Sequence, residues 1–428
     1  MPFRGCDYGA STIFPRVFFL FETIARLTGV PWTRQGPVFL VSLGHGTTHW
    51  IAAFFYLLLP FIGPDLGLSY TDTGFLVSVF HLSSLAANLG SGLAVDISGR
   101  RILFQIIALC VGGAALLAFG FTDHFVVLAG LVALLGASNN LWHPPAIAYL
   151  SENYPKNRGY VLSIHALCAN LGDTLAPPVA GALLTILTWQ RTSFVSALPV
   201  FLVVLVLALT LLHKDRETRR SIKGPINIRE YAASIKNILR NRVVVGLCLA
   251  SGCRNIAQNG LYLFLPLYLI NELRTGAIWM GLVMMSLQIG GLIAAPIAGT
   301  WSDRVGRRPV ILWGLVFSAC IVALIAPLRG DLAIITVVAL AGFFLFAIRP
   351  VVHSWMMDLS PPGYFGSSTS ILFGTQAIMT AAIMPIGGMI ADRYGLAMVF
   401  YFLAATVLIA SFIVFLLPTQ NSHGNSRN

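Results

Sequence analysis

The residues best suited to chemistry are imidazole and carboxylate side chains that lie inside long apolar stretches. His45 and His49 are four residues apart, so a helix would place both imidazoles on one face. Asp173 adds a carboxylate within another apolar stretch. Imidazoles and carboxylates are ligands for iron and other transition metals. These residues therefore predict a site for a metal species, with His45 and His49 as candidate ligands of a transported ion.

Two arginines in apolar stretches indicate a different chemistry. Arg254 and Arg349 carry permanent charges, and guanidinium groups bind carboxylates and phosphates through charge-assisted hydrogen bonds. An organic anion or a phosphonate-like drug is therefore the alternative cargo. A free dication beside two uncompensated arginines is unfavourable, so the metal interpretation favours a chelated metal.

Further polar residues extend both groups along the predicted helices. Together they give the candidate set for substrate binding or proton coupling: His45, His49, Tyr56, His143, Asp173, Arg254, Asn255, Gln258, Asn259 and Arg349. A histidine or amide in a membrane helix can instead serve only to bond neighbouring helices, and we favour that interpretation for His81, His165 and His353. Asp173 precedes Pro177-Pro178, where we expect an irregular helix. Asp173 could instead form hydrogen bonds with the backbone groups that this irregularity leaves unpaired.

The elements that carry these residues are predicted to be membrane helices. Hydrophobic residues make up 57% of the chain and charged residues 10%, which is typical of a protein embedded in a bilayer. Twelve apolar runs have about the 20 residues that a membrane-spanning helix needs. They lie near 37–62, 72–97, 102–121, 124–152, 159–187, 192–213, 242–270, 277–301, 309–328, 331–357, 367–391 and 396–417.

Several functions are excluded by the same sequence. The net charge of +11 does not indicate a nucleic-acid partner, because the basic residues lie in short loops and are not interleaved with aromatic residues. No Walker motif is present, so ATP is not the expected energy source. No nucleophile and base are arranged for catalysis, so we predict neither an enzyme nor a cofactor.

One motif occurs twice. The first copy is GLAVDISGRR at 92–101 and the second is GTWSDRVGRR at 299–308, with matched positions displaced by 207 residues. Each copy suits the water-facing end of one membrane helix and the turn into the next. We predict a gate in which the carboxylates latch the two halves through arginines or helix N-termini. The predicted gate residues are Gly92, Asp96, Gly99, Arg100, Arg101, Gly299, Asp303, Arg304, Gly306, Arg307 and Arg308.

The same offset relates positions far from the motif, such as Gly74 to Gly281 and Gly181 to Gly388. On these features the chain resembles the major facilitator superfamily, whose signature loop reads GxxxD(R/K)xGRR. The first copy departs from that signature at Ile97, whereas the second keeps Arg304. The resemblance covers about residues 37 to 418. It implies an all-α integral membrane fold of twelve transmembrane helices in two pseudo-symmetric six-helix halves.

A narrower resemblance lies in four segments: LGHGTTH (43–49), GLSYTDTG (67–74), NNLWHPPA (139–146) and NLGDTLAPP (170–178). They are similar to the fosmidomycin-resistance-type branch, which tends to have GH in its first helix and HP in its fourth. Many proton-driven drug antiporters have an arginine in the middle of the fourth helix, and this chain has Trp142 and His143 there. Its size and histidine content are also similar to the magnetosome-membrane (MamH-type) members, which implies iron transport for magnetosome biomineralisation.

The basic residues predict the orientation. Sixteen Lys and Arg residues lie in one set of alternating loops, and only Arg191, Arg274, Arg329 and Arg393 lie in the other. Both termini are therefore expected in the cytoplasm, in a bacterial inner membrane or in a magnetosome membrane derived from it. The predicted organisation is an N-terminal segment 1–36, amphipathic or loosely ordered, a half 37–213, a linker 214–241, a half 242–418 and a tail 419–428.

These features together predict a secondary active transporter that works by alternating access about a midplane site. The expected driver is a proton gradient, with Asp173 or a histidine of the cavity as the titrating group. The expected partners are the lipid bilayer, protons and a small solute, which is iron or another transition metal, and alternatively an organic anion or drug that is exported. A membrane sensor or scaffold is the remaining alternative, and the two intact copies of the motif disfavour it.

Overall fold

The computed structural model describes residues 28–213, 240–360 and 365–418. Most of the N-terminal segment predicted as amphipathic, most of the linker and the C-terminal tail lie outside these ranges. Within them the secondary structure is helical, without a strand. The predicted all-α membrane fold is confirmed.

The N-terminal half contains six membrane helices, one of them broken. They are α1 (Trp32–Asp65), α2 (Tyr70–Ser98), α3 (Arg101–Phe119), α4a (Phe125–Leu141) with α4b (His143–Asn153), α5 (Arg158–Ile186) and α6 (Trp189–Leu211). The first helix begins at Trp32, five residues before the predicted start, and so takes up part of the predicted N-terminal segment.

The C-terminal half repeats this order. Its helices are α7 (Arg242–Leu267) with a π-helical turn (Tyr268–Glu272), α8 (Ala277–Val305), α9 (Arg307–Ile325), α10 (Asp331–Leu359), α11 (Phe365–Tyr394) and α12 (Leu396–Leu416). In the described parts of the chain, nine helices are long and apolar enough to cross a membrane, with α4a and α4b taken as one. The three others, α2, α5 and α7, carry many of the polar residues singled out above.

Prolines act differently in two helices. The helix predicted over 124–152 is broken at Trp142, because Pro144 and Pro145 have no N–H to continue it and instead occupy the first turn of α4b. The irregularity expected around Asp173 is absent. Helix α5 is continuous through Pro177 and Pro178, so that prediction was wrong.

The two halves meet at the end of the molecule that is remote from the repeated motif. Glycines allow backbones to touch there: a Cβ on Gly74 would lie 2.6 Å from the Met384 carbonyl oxygen, and one on Gly181 would lie 2.5 Å from that of Ala277. Their counterparts at the offset of 207, Gly281 and Gly388, are equally crowded. Helix α2 therefore packs on α11, and α5 packs on α8, in two related contacts.

A carboxylate strengthens one of these contacts. Asp392, near the end of α11, accepts hydrogen bonds from the backbone N–H groups of Tyr70 and Thr71, both at 2.9 Å, and from the Thr71 hydroxyl at 2.6 Å. The acceptor lies at the positive end of α2. At the motif end, by contrast, a Cβ on Gly90 or Gly299 would have no neighbour within 4 Å. These two glycines therefore make no close contact of the kind seen at the other end.

Candidate functional site

Close backbone packing positions a cluster of histidines in the N-terminal half. A Cβ on Gly46 of α1 would lie 2.6 Å from the Cys168 carbonyl oxygen of α5, and one on Gly172 would lie 2.2 Å from the Gly46 oxygen. Gly44 faces the Trp142 ring at the break in α4. Because only glycine allows these approaches, α1, α4 and α5 bring their polar side chains within bonding distance of one another.

Each of three imidazoles in this cluster is held by an oxygen acceptor at its Nδ1 atom. His45 Nδ1 donates to the His165 carbonyl at 2.8 Å, His143 Nδ1 donates to the Asn139 carbonyl at 2.9 Å, and His49 Nδ1 lies 2.9 Å from Asp173 Oδ2. A carbonyl oxygen only accepts, so Nδ1 of His45 and of His143 carries a proton. The carboxylate fixes His49 in the same way when Asp173 is ionised. Each neutral ring then keeps the lone pair on Nε2.

Two of those lone pairs face each other, since His45 Nε2 and His143 Nε2 are 3.3 Å apart. His45, His49 and His143 each offer a ring nitrogen such that all three lie within 4.8 Å of one another. Two unprotonated nitrogens at 3.3 Å repel each other, and a proton or another cation between them would make the contact favourable.

Sequence reasoning missed His165 as a member of the cluster. Its ring stacks on that of His45 with centroids 3.8 Å apart, and neither of its buried nitrogens has a hydrogen-bond partner. The available signal was its position on α5, about two turns before Asp173. The alternative prediction for Asp173 was that it forms hydrogen bonds with freed backbone groups of its helix. Its carboxylate is instead hydrogen-bonded to His49.

Tyr56 lies apart from the histidine cluster, between the two halves. Its hydroxyl is 3.3 Å from His81 Nε2, and its ring is 5.8 Å from that of Tyr262 on α7. The Tyr262 hydroxyl accepts hydrogen bonds from Gln258 at 3.3 Å and from Gln288 at 3.5 Å. His81 and Gln288 are matched by the offset of 207, so each half supplies one tyrosine that contacts the matched polar residue of α2 or α8.

The C-terminal half places two arginines near this centre. Arg254 is 2% exposed and donates to the Leu345 carbonyl at 3.0 Å and to Asn255 Oδ1 at 3.4 Å, while its Nε has no partner. Asn255 donates to Thr380 Oγ1 at 3.1 Å, and Asn259 donates to the Asn255 carbonyl at 3.0 Å. Over the described residues, no carboxylate forms an ion pair with Arg254.

Arg349 on α10 differs from Arg254 in being exposed. Within the described ranges it forms no hydrogen bond and no ion pair. It is close enough to interact electrostatically with Arg254 and also with His143 of the other half. Arg349 therefore lies within electrostatic range of both the buried arginine and the histidine cluster.

The repeated motif forms ion pairs within each half. Arg101 pairs with Glu152 at 2.6 Å, and Arg307 pairs with Asp303 and, at 3.2 Å, with Asp358. Gly99 (φ 66°) and Gly306 (φ 94°) make the turns in the left-handed region, and Arg308 donates to the Val414 carbonyl at 3.3 Å.

Among the other predicted gate residues, those with described side chains add no bond between the halves. Arg100 and Arg304 are exposed, and Gly299 has open space beside it. Asp96 and Gly92 lie in α2, but their side chains are outside the described part of the chain.

Comparison with known proteins agrees with this architecture. The model of the Major Facilitator Superfamily matches residues 38–294 and 247–428. The multidrug efflux pump Tap of Mycolicibacterium fortuitum is 24% identical over 408 residues, covering 90% of this chain and 97% of that protein. The hexuronate transporter of Bacillus subtilis is 27% identical over 364 residues, covering 78% of this chain and 83% of that protein.

A solved structure has the same fold. The bacterial homologue of the human lysosomal transporter Spinster, in an inward-facing and unoccupied conformation, superimposes with a TM-score of 0.71 at 15% identity, covering 89% of this chain and 96% of that one. The family match extends over both halves, and the relatives are transporters. The protein is therefore a multi-pass membrane transporter and not an enzyme, and the chain belongs to the Major Facilitator Superfamily.

Proposed function

We propose that the protein is a proton-coupled secondary transporter whose cargo is iron or another divalent transition metal, bound at His45, His49 and His143. The observation that carries this proposal is the orientation of the rings, with each Nδ1 facing an oxygen acceptor. Metal-binding histidines typically donate their second ring N–H to a carbonyl or carboxylate, which orients the lone pair of the ligating nitrogen. Asp173 and the carbonyls of Asn139 and His165 take that role here.

The spacing of the nitrogens supports the proposal. Two imidazole nitrogens bound at the usual 2.0–2.1 Å to one tetrahedral metal lie about 3.3 Å apart. The Nε2 atoms of His45 and His143 have that separation, 3.3 Å. A ring nitrogen of His49 lies within 4.8 Å of a ring nitrogen of each, so His49 is the candidate for the third ligand.

Proton coupling follows from the same contact. The two Nε2 atoms that would bind the metal would also be stabilised by a proton between them. Metal binding would therefore displace the proton, and a proton would displace the metal. A carrier that holds a proton on one side of the membrane and a metal on the other exchanges the two.

The contacts between the halves support alternating access with a gate at the repeated motif. On the distribution of basic residues we place the motif and both termini on the cytoplasmic side of a bacterial inner membrane. The halves then touch at the outer end and separate toward the cytoplasm. In the opposite state, Asp96 and Asp303 would contact the other half, and Asp303 would leave its present partner Arg307.

The four segments that resemble the fosmidomycin-resistance-type branch include His45, His49, His143 and Asp173. The branch assignment is therefore part of this proposal. The choice of iron as the metal and of a magnetosome membrane as the location rests only on the further resemblance to the magnetosome-membrane members. The named relatives export drugs or transport a hexuronate, so the metal assignment rests on the histidine cluster.

An organic anion, exported or imported, is the second candidate, because Arg254 is buried without a carboxylate partner among the described residues. The relative named as a hexuronate transporter has an anionic substrate. In this alternative the arginines bind the cargo and the histidines carry only the proton.

Metal flux into liposomes containing the purified protein tests the proposal. We expect uptake of Fe²⁺, Mn²⁺ or Zn²⁺ that depends on a proton gradient, stops when an ionophore collapses the gradient, and weakens as the metal-containing side is acidified, because protons compete for the imidazole nitrogens. Liposomes without protein give the background. Flux equal to that background for all three metals would refute the proposal and favour the anion.

A further inference from the structure

We infer that the cargo is a metal complex that brings its own anionic ligand, with the metal on the histidine cluster and a carboxylate or phosphate of the ligand on Arg254 and Arg349. The inference rests on the proposed metal transport. It explains why one cavity combines neutral nitrogen ligands with permanent positive charges.

Arg254 supplies the first reason. A guanidinium that is 2% exposed is costly without an anion, and its bonds are to one carbonyl and one amide oxygen. Its buried Nε has no partner at all. A planar carboxylate or phosphate is the group that matches a guanidinium's donors.

Arg349 supplies the second reason. It is exposed, forms no hydrogen bond or ion pair with any described residue, and is close enough to interact with both Arg254 and His143. A small ligand held by the two arginines would therefore lie near the metal position without a large movement of the halves.

The charges supply the third reason. A divalent metal with Arg254 and Arg349 brings four positive charges, and Asp173 compensates one. A ligand with three negative charges balances the remaining three. Three ring nitrogens also leave at least one coordination position of a metal open, which an oxygen of that ligand would fill.

Calorimetric titration of the full-length protein in lipid nanodiscs tests this inference, with Zn²⁺, zinc citrate and citrate alone as probes. We expect the wild type to bind zinc citrate at least tenfold more tightly than Zn²⁺. Arg349→Gln should weaken zinc citrate binding at least tenfold and leave Zn²⁺ binding within twofold or strengthen it, because a repulsive charge is lost. His143→Ala should weaken both.

Arg329→Gln is the matched control, because Arg329 is an arginine at the outer end, bonded to Tyr268 at 2.7 Å. Arg349 is exposed, so its variant keeps the fold even if Arg254→Gln does not. Equal affinities of wild type and Arg349→Gln for zinc citrate would overturn the inference and leave metal transport standing. Failure of the wild type to bind any zinc species would instead refute both proposals, and Arg349-dependent binding of citrate alone would then identify the anion.

Discussion

Each half contains a hydrogen bond between side chains of its first and fifth helices, here called a bridge. The residues that form the bridge differ between the halves. In the N-terminal half His49 of α1 contacts Asp173 of α5 at 2.9 Å, and in the C-terminal half Asn255 of α7 contacts Thr380 of α11 at 3.1 Å. Asp173 and Thr380 are matched by the offset of 207 residues. The N-terminal bridge is made of titratable side chains, and the C-terminal bridge is made of an amide and a hydroxyl.

The same division holds across the cavity. Arg254 corresponds to Thr47, Arg349 to Trp142, and His45 to Gly252. The bridging residues of α5 and α11 occupy matched positions, whereas Asn255 lies one residue before the position that corresponds to His49. The N-terminal half holds the histidine cluster and the C-terminal half holds the fixed charges. Pseudo-symmetry of the backbone does not imply two equal binding sites.

The strongest test removes one imidazole from each half. His143→Ala should lower metal uptake roughly a hundredfold or more, since it removes a ligand outright. His353→Ala, which alters a histidine of α10 that packs 5.0 Å from the Phe373 ring, is the control and should change uptake little. Radioactive or fluorescent metal flux measures both. Equal losses in the two variants would show that the histidines act in packing alone.

The next test compares the two bridges. Asp173→Asn removes the charge that orients His49 and should weaken metal affinity about ten- to a hundredfold. Thr380→Val breaks the corresponding C-terminal bridge and should leave that affinity nearly unchanged. Calorimetric titration with Zn²⁺ gives both values. If Thr380→Val were the more damaging change, the assignment of titratable chemistry to the N-terminal half would be wrong.

The smallest expected effect concerns the contacts between the halves at the end remote from the repeated motif. Asp392 caps α2, whereas its counterpart Thr185 donates, among the described residues, to Gly181 within its own helix. Asp392→Asn should cost the closed state of this end about 1 kcal/mol, roughly a fivefold shift toward opening. Spin labels at His124 and Leu332 would report it as a population of longer distances. Asp331→Asn, at the same end, is the control, and an equal shift there would exclude a specific latch.

Much of the fold could be predicted because it follows from hydropathy and repetition. Apolar runs of membrane length indicate the helices, and the offset of 207 indicates the halves. The effect of individual prolines could not be predicted as well. Pro144 follows His143 at a break, while Pro177 and Pro178 lie in a continuous helix supported by close packing against Gly281, a tertiary contact that local sequence does not contain.

The candidate site was predictable as a set of residue types but not as a geometry. An apolar stretch makes each polar residue conspicuous, so His45, His49, His143 and Asp173 could be selected. Their convergence depends on the approach of α1 to α5 at Gly46 and Gly172, which no spacing within one helix gives. The stacking of His165 could not be predicted for the same reason, since it depends on a ring of another helix.

The contact between His45 and His143 also has an electrical consequence. If one proton leaves that nitrogen pair for each divalent ion that enters it, every transport cycle moves one net charge across the membrane. Such a cycle gains or loses about 2.3 kcal/mol for each 100 mV of membrane potential. An anionic ligand travelling with the metal would cancel or reverse this charge. The sign of the current carried by reconstituted protein would therefore identify the charge of the cargo.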